Sequence, residues 1–331
     1  MIVVHVTHEA VEKIGGIGAV IAGLVTSESY TKTVSRTILM GPLLTTDKPV
    51  NLRLGEGGHV IYSSLDAINT PPWREKFRPI EKTYDVGIIY GTRPVTDPCT
   101  GQTVEVEVLL VDVFHSNKDR LNLFKAELYT KFGVPSDNFE NIWEFEQYVR
   151  VAEPGIEALK AIGCHGVVLL AHEYMGMPTA LKAILAGSEK TRTVFYAHEV
   201  ASVRPIVEKM AGHDTMFYNV MRQACQQNKT IEEIFPSVFD NYKHALVKAA
   251  RYCDHVFAVG DYVEEELRFL DPHFRVSDID LVYNGIPAIP ITLQEKKASR
   301  RKMAQKFPKP FGETPTWVFL AVFRPVPCQA I

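Results

Sequence analysis

Long apolar runs are missing from this 331-residue chain. None approaches the ~20 residues that a helix needs to span a bilayer. The opening MIVVHVTHEA has no basic leader, and its apolar run is too short for a secretory signal; it reads as a first buried strand. Cysteine is scarce and scattered. Cys99, Cys164, Cys225, Cys253 and Cys328 form no CxxC pair and no Cys/His cluster with zinc spacing. Their odd count suits free thiols in a reducing compartment, so a cytoplasmic protein without a metal is expected. An excess of positive charge is lacking too: 36 Lys and Arg stand against 39 Asp and Glu, a net −3 that argues against a nucleic-acid partner. The basic stretch Lys296 to Lys302 is broken by Ala298 and Ser299 and reads as a solvated helix or linker face.

What is present is a regular alternation. Short Val- and Ile-rich runs recur at Ile2–Val6, Val34–Met40, Val86–Tyr90, Val104–Val113, Val167–Ala171, Thr193–Ala197, His255–Val259 and Asp280–Tyr283. Between them, apolar residues fall at helical spacing over Ile17–Thr26, Trp143–Ile162, Thr179–Ala186, Tyr242–Arg251 and Val263–Leu270. Continuous apolar strands alternating with helices predict an α/β fold with a doubly wound, mainly parallel sheet. The stretch Val50 to Thr103, punctuated by glycines and prolines, reads as antiparallel hairpins and loops. Near the end, two proline-rich segments flank a short charged helix, and WVFLAVF (Trp317–Phe323) starts a further buried strand. The expected organisation is a first domain over 1–288, a linker over 289–315, and the first strand of a truncated second domain over 316–331.

The polar residues fall in a pattern. The strands lead into His8-Glu9, Asp112 with His115, His172-Glu173, His198-Glu199, Asp261-Tyr262 and Asn284-Gly285. In an open parallel sheet these C-terminal ends share one rim, where ligands bind. A polar residue after a strand is often only a helix cap, so the set argues more strongly than any member. Neither His-Glu pair has a second His one turn on, which excludes a zincin. Lys13-Ile-Gly15-Gly16-Ile-Gly18 follows the first strand and opens a helix. Glycines admit a ligand close to the backbone, and a helix N-terminus attracts anions. The order G-G-x-G matches neither the dinucleotide fingerprint nor a phosphate-binding loop ending in Gly-Lys-Ser/Thr.

These residues resemble a known family. Lys13 to Gly18, within THEAVEKIGGIGAVIAGL, resembles the K-x-G-G-L-G motif of glycogen and starch synthases. AHEYMGMPTALKA, TVFYAHEVAS, FDNYKHALVKAARYCDHVFAVGDYVEEEL, LVYNGIP and WVFLAVFRPV resemble later segments of that family, in the family's order. The resemblance covers about residues 1–26 and 104–328. It implies a GT-B fold of two Rossmann-like domains. The activity implied is retaining transfer of glucose from ADP-glucose or UDP-glucose to the end of an α-1,4-glucan, with no cofactor and no metal. Carried over by position, Lys13 and the backbone of Gly15, Gly16 and Gly18 would line the donor and acceptor side. His198 would bond the transferred glucose, and Asp112 would face the acceptor. His172, Glu173 and Asn284 would complete the substrate rim, and Arg324 would contact the leaving diphosphate. The sequence departs from the family at Ala19, where an aspartate is common, and at Gln329, where a second phosphate-binding lysine is expected. A non-catalytic carbohydrate- or nucleotide-binding relative is therefore the alternative. Neither the choice of nucleotide nor the oligomeric state can be read here.

Overall fold

Runs such as Ile2–Val6 and Val168–His172 are almost wholly buried. Strands of that kind need cover on both faces, which interleaved helices supply. The computed structural model describes residues 1–12, 14–97, 100–209, 213–285 and 291–306. Its strands are β1 (Ile2–Val6), β2 (Arg36–Pro42), β3 (His59–Ser63), β4 (Ile68–Asn69), β5 (Gly87–Thr96), β6 (Thr103–Asp112), β7 (Val168–His172), β8 (Arg192–Ala197), β9 (His255–Ala258) and β10 (Asp280–Leu281). They form one sheet in the order β10-β9-β8-β7-β1-β2-β6-β5-β3-β4. Every pair from β10 to β6 is parallel, and β5, β3 and β4 extend the sheet in antiparallel fashion.

The helices are α1 (Ile17–Thr26), α2 (Glu28–Thr33), α3 (Pro71–Tyr84), α4 (Lys118–Phe132), α5 (Trp143–Ala161), α6 (Glu173–Leu185), α7 (Arg204–Lys209), α8 (His213–Gln226), α9 (Ile231–Ile234), α10 (Tyr242–Lys248), α11 (Asp261–Leu270), α12 (His273–Val276) and α13 (Leu293–Lys306). The sheet and α1 to α12 make one compact unit, Met1–Gly285. A second unit spans Ile286–Ile331, and its described part is α13. That helix starts with a reciprocal cap: Glu295 N–H donates to the Thr292 hydroxyl, and Thr292 N–H donates to the Glu295 carboxylate. The expected strand Trp317–Phe323 lies outside the described residues.

The doubly wound α/β sheet expected from the sequence is present. The stretch after Val50 is only partly hairpin. β3, β4 and β5 are antiparallel as expected, but Pro71–Tyr84 is a helix of 14 residues. Pro71 and Pro72 do not break it, because at the first helical positions the missing N–H has no partner to lose. Trp73, Phe77 and Glu81 then repeat every four residues, and Phe77 and Glu81 are buried. Likewise α6 begins at Glu173 and accommodates Pro178, well before the expected start at Thr179.

One topological feature locates the site. β1 continues to β2 on one side, whereas β7, its other neighbour, continues to β8 on the opposite side. The connections after β1 and β7 therefore diverge over the two faces and leave a crevice at their C-terminal ends. α6 lies hard against β7: a Cβ on Gly176 would sit 2.5 Å from the Ala171 Cα. This close approach fixes Glu173, the first residue of α6, at the mouth of the crevice.

Candidate functional site

The loop after β1 is organised by a carboxylate. Glu9 is buried, and its Oε2 accepts hydrogen bonds from the backbone N–H of Ile14 (3.1 Å) and Gly18 (2.9 Å). Gly18 lies in the first turn of α1, so the positive end of that helix already holds an anion belonging to the chain. A Cβ on Gly15 would come within 3.1 Å of Glu9 Oε1. Gly16 differs. Its φ of −81° suits any residue, and a Cβ there would meet nothing within 4 Å among the described residues. Neither backbone conformation nor packing asks for glycine at Gly16; its missing side chain leaves room in the crevice.

Opposite this loop, three histidines step diagonally across one face of the sheet. His5 of β1 pairs in register with Leu170, and His172 lies one pleat further along β7. His172 pairs in register with Tyr196, and His198 lies one pleat further still, just past β8. The rings join through nitrogen: His5 Nδ1 to His172 Nε2 at 2.9 Å, and His172 Nδ1 to His198 Nε2 at 2.9 Å. The His198 ring also stacks on Tyr196, with centroids 4.5 Å apart. His5 and His172 are fully enclosed. Burial holds all three imidazoles below the usual range, to about 3 for His5 and about 4 for His198. The triad of rings is thus neutral at neutral pH.

Glu173 adopts a left-handed backbone, with φ of +58°. That is costly for a residue with a side chain and persists only where its surroundings enforce it. Here the twist turns the carboxyl onto the end of β8, where Oε1 accepts the backbone N–H groups of His198 and Glu199. Oε2 is buried and makes no hydrogen bond among the described residues. Burial raises this carboxyl to about 8, opposed by the two backbone bonds and assisted by the charge of Glu199. At neutral pH Glu173 is mostly a neutral acid, its proton on the enclosed oxygen behind the crevice wall.

The crevice is a cleft of about 660 Å3. It is lined by Gly15 and Gly16 of the loop after β1 and by Glu173, His198, Glu199 and Asn284 from beyond β7, β8 and β10. Its floor is polar and aromatic. Tyr174 donates its phenol to Glu144, and the Lys243 ammonium lies 3.6 Å from that carboxylate and 4.7 Å from the Tyr174 ring centre. Burial would raise Glu144, but bonds from tyrosine and the Lys243 charge outweigh it and hold the carboxyl below its ordinary range. Arg204 lines the outer wall, paired with Glu199 at 3.4 Å and Glu208 at 3.2 Å. Among the described residues no group of three or more His, Cys, Asp or Glu is placed to hold a metal ion.

Of the residues expected from the sequence, Gly15, Gly16, Glu173, His198 and Asn284 are brought together here. Three are not. His172 is enclosed between His5 and His198 and can touch a ligand only through His198. Gly18 gives its N–H to Glu9 rather than to the cleft. Asp112 ends β6, two strands from β1, and accepts the N–H of Phe114 in its own turn at 3.2 Å. Lys13, Arg324 and Gln329 lie outside the described residues. Glu9, expected on the rim, instead organises the loop, and His5, Glu144, Tyr174, Arg204 and Lys243 join the site without having been expected there. His5 had a signal, being a polar residue in the middle of an apolar strand. Lys243 and Glu144 had none, since they meet only through the packing of α5, α6 and α10.

No protein-family model and no curated protein sequence matches the chain. Among solved structures, it is similar to the catalytic domain of starch synthase IV from Arabidopsis thaliana bound to ADP and acarbose, at 15% identity over 92% of this chain and 59% of that one, with a TM-score of 0.45. It is also similar to an alpha,alpha-trehalose-phosphate synthase (UDP-forming) from Burkholderia xenovorans in complex with glucose-6-phosphate, at 11% identity over 82% of this chain and 42% of that one, with a TM-score of 0.34. The chain therefore spans about three fifths of the first structure and about two fifths of the second.

Proposed function

We propose that the chain is part of a glycosyltransferase that moves glucose from ADP-glucose or UDP-glucose to an α-1,4-glucan with retention, the cleft between the β1 and β7 loops receiving the sugar. The observation that supports this most directly is Gly16. It is a glycine required by neither fold nor packing, opening space opposite His198 where the sheet's connections diverge. Motif order along the chain supplies the reaction class, and the cleft supplies chemistry suited to a polyol. Neutral His198 offers a donor, Glu144 and Glu199 offer acceptors, and Tyr148 and Tyr174 offer apolar ring surface. A departing diphosphate gains negative charge and needs preorganised positive partners. Because Glu9 occupies the helix end, that charge must come mainly from side chains: Arg204 and Lys243 here, with Lys13 and Arg324 assigned by resemblance. His198 bonds the transferred glucose, and Asp112 has no place in this reading of the cleft.

The test is calorimetric titration of ADP-glucose, UDP-glucose and maltoheptaose into the chain, with glucosyl transfer assayed alongside. Saturable binding that disappears in His198→Ala and Gly16→Val is expected. Absence of both binding and transfer with either nucleotide sugar would refute the assignment.

A further inference from the structure

The histidine staircase does not end at His5. His5 Nε2 lies 3.0 Å from the Tyr30 hydroxyl, which lies 3.1 Å from Thr37 Oγ1. One unbroken line of hydrogen bonds therefore runs Thr37, Tyr30, His5, His172, His198. The last atom of the line, His198 Nδ1, is the ring nitrogen left for the cleft. Each neutral imidazole has one donor and one acceptor nitrogen. A misplaced proton anywhere along the line would set two N–H groups, or two lone pairs, against each other in a dry interior. Only two arrangements avoid this. In one, every proton points towards the cleft and His198 Nδ1 carries hydrogen; in the other, every proton points away and His198 Nδ1 is a bare acceptor.

The end of the line chooses between them. A phenol is a good donor and a poor acceptor, and the pyridine-type nitrogen of an imidazole is the better acceptor. Tyr30 therefore donates to His5 Nε2 and takes the Thr37 hydroxyl proton in turn. That forces Nδ1–H on His5, then on His172, then on His198. We propose that Tyr30, His5 and His172 are positioning residues that fix the His198 tautomer, so that the cleft is presented with an Nδ1–H donor for a ligand oxygen. Strong depression of the three imidazoles by burial agrees with this, since a proton added to any one would break the line. The consequence for catalysis rests on the proposed function, but the tautomer itself does not.

Long-range 1H–15N correlation spectra of the 15N-histidine-labelled chain at neutral pH, without ligand, identify which nitrogen of each ring bears hydrogen. Nδ1–H is expected at His5, His172 and His198. An isolated neutral imidazole favours Nε2–H, so Tyr30→Phe, which keeps the ring and removes the donor, is expected to move all three to Nε2–H. Thr37→Val, which leaves the phenol in place, is expected to leave them unchanged. Nε2–H at His198 in the parent chain, or a His198 tautomer indifferent to Tyr30→Phe, would overturn the proposal. Calorimetry with ADP-glucose and UDP-glucose decides the proposed function separately, because the tautomer is read on the free protein.

Discussion

Glu173 offers a direct test of how the site is held. Its carboxyl titrates near 8 in the fold against an ordinary value of 4.5. Below pH 4.5 both folded and unfolded chains hold this proton. Between 4.5 and 8 the unfolded chain has released it while the folded chain keeps it, so stability falls as pH rises by about 1.4 kcal/mol per pH unit. From pH 5.5 to 7.5 this one group costs the protein about 2–3 kcal/mol. Glu173→Gln removes the titration but keeps a carbonyl that can accept the N–H groups of His198 and Glu199. Urea unfolding followed by tryptophan fluorescence should therefore show the variant gaining about 2–3 kcal/mol on the parent between the two pH values. Glu266 of α11, which burial raises to about 7, titrates in both proteins, as do His5, His172 and His198, and all cancel in the difference. Glu173→Ala strands two backbone donors at about 1–3 kcal/mol each, so it should be less stable than the parent at pH 5.5, with a deficit that shrinks by about 2–3 kcal/mol at pH 7.5 because it too has lost the titration. Parallel pH profiles for the parent and Glu173→Gln would mean that the carboxyl is ionised in the fold, and the argument from its burial would fail.

The parts of this protein that could be read from sequence are those fixed by local pattern. Ile2–Val6 and Val168–His172 had to be central strands because both of their faces are apolar, and a parallel sheet then put their ends on one rim. Pattern failed where one residue has two uses. Pro71 and Pro72 mark a loop or a helix start with equal force, and only the Trp73, Phe77, Glu81 spacing separates them. His172 ends a strand, a position that by pattern alone points to a ligand residue. It shares a face with Leu170 by pleat count, but that His5 and His198 close over it follows only from the strand order and register. Gly18 completes a motif that points to a ligand, whereas Glu9, nine residues earlier, claims its N–H. The meeting of Tyr30 with His5, or of Lys243 with Glu144, depends on sheet order and helix packing, which no window of sequence contains.

Gly16→Ala should leave stability unchanged or raise it by up to about 1 kcal/mol, since its φ suits alanine, while weakening binding of a nucleotide sugar; unfolding and calorimetry on the same sample check both. Glu9→Ala should cost about 1–3 kcal/mol by stranding the buried N–H of Gly18, measured as a lower urea midpoint. In Glu173→Gln, where the opposing titration is gone, acid should destabilise the protein through His5, His172 and His198: the stability these rings contribute is complete above pH 6.5 and falls towards pH 4, as the unfolded chain takes up protons that the fold refuses. Thermal midpoints between pH 7 and pH 5 measure that slope. The last prediction concerns Arg53, which is 5% exposed and grips Asp66 through Nη2 at 2.8 Å and Nε at 3.1 Å. Burial alone would raise the Asp66 carboxyl, but its bonds from Arg53 and Ser63 hold it below the usual range. Arg53→Met leaves that carboxylate enclosed beside a single hydroxyl and should cost about 3–5 kcal/mol. If the cost is the stranded charge and not lost packing, Arg53→Met combined with Asp66→Leu should recover most of it. A double variant as unstable as the single one would place the energy in the shape of the arginine, including its bond to the Thr46 carbonyl, and not in the ion pair.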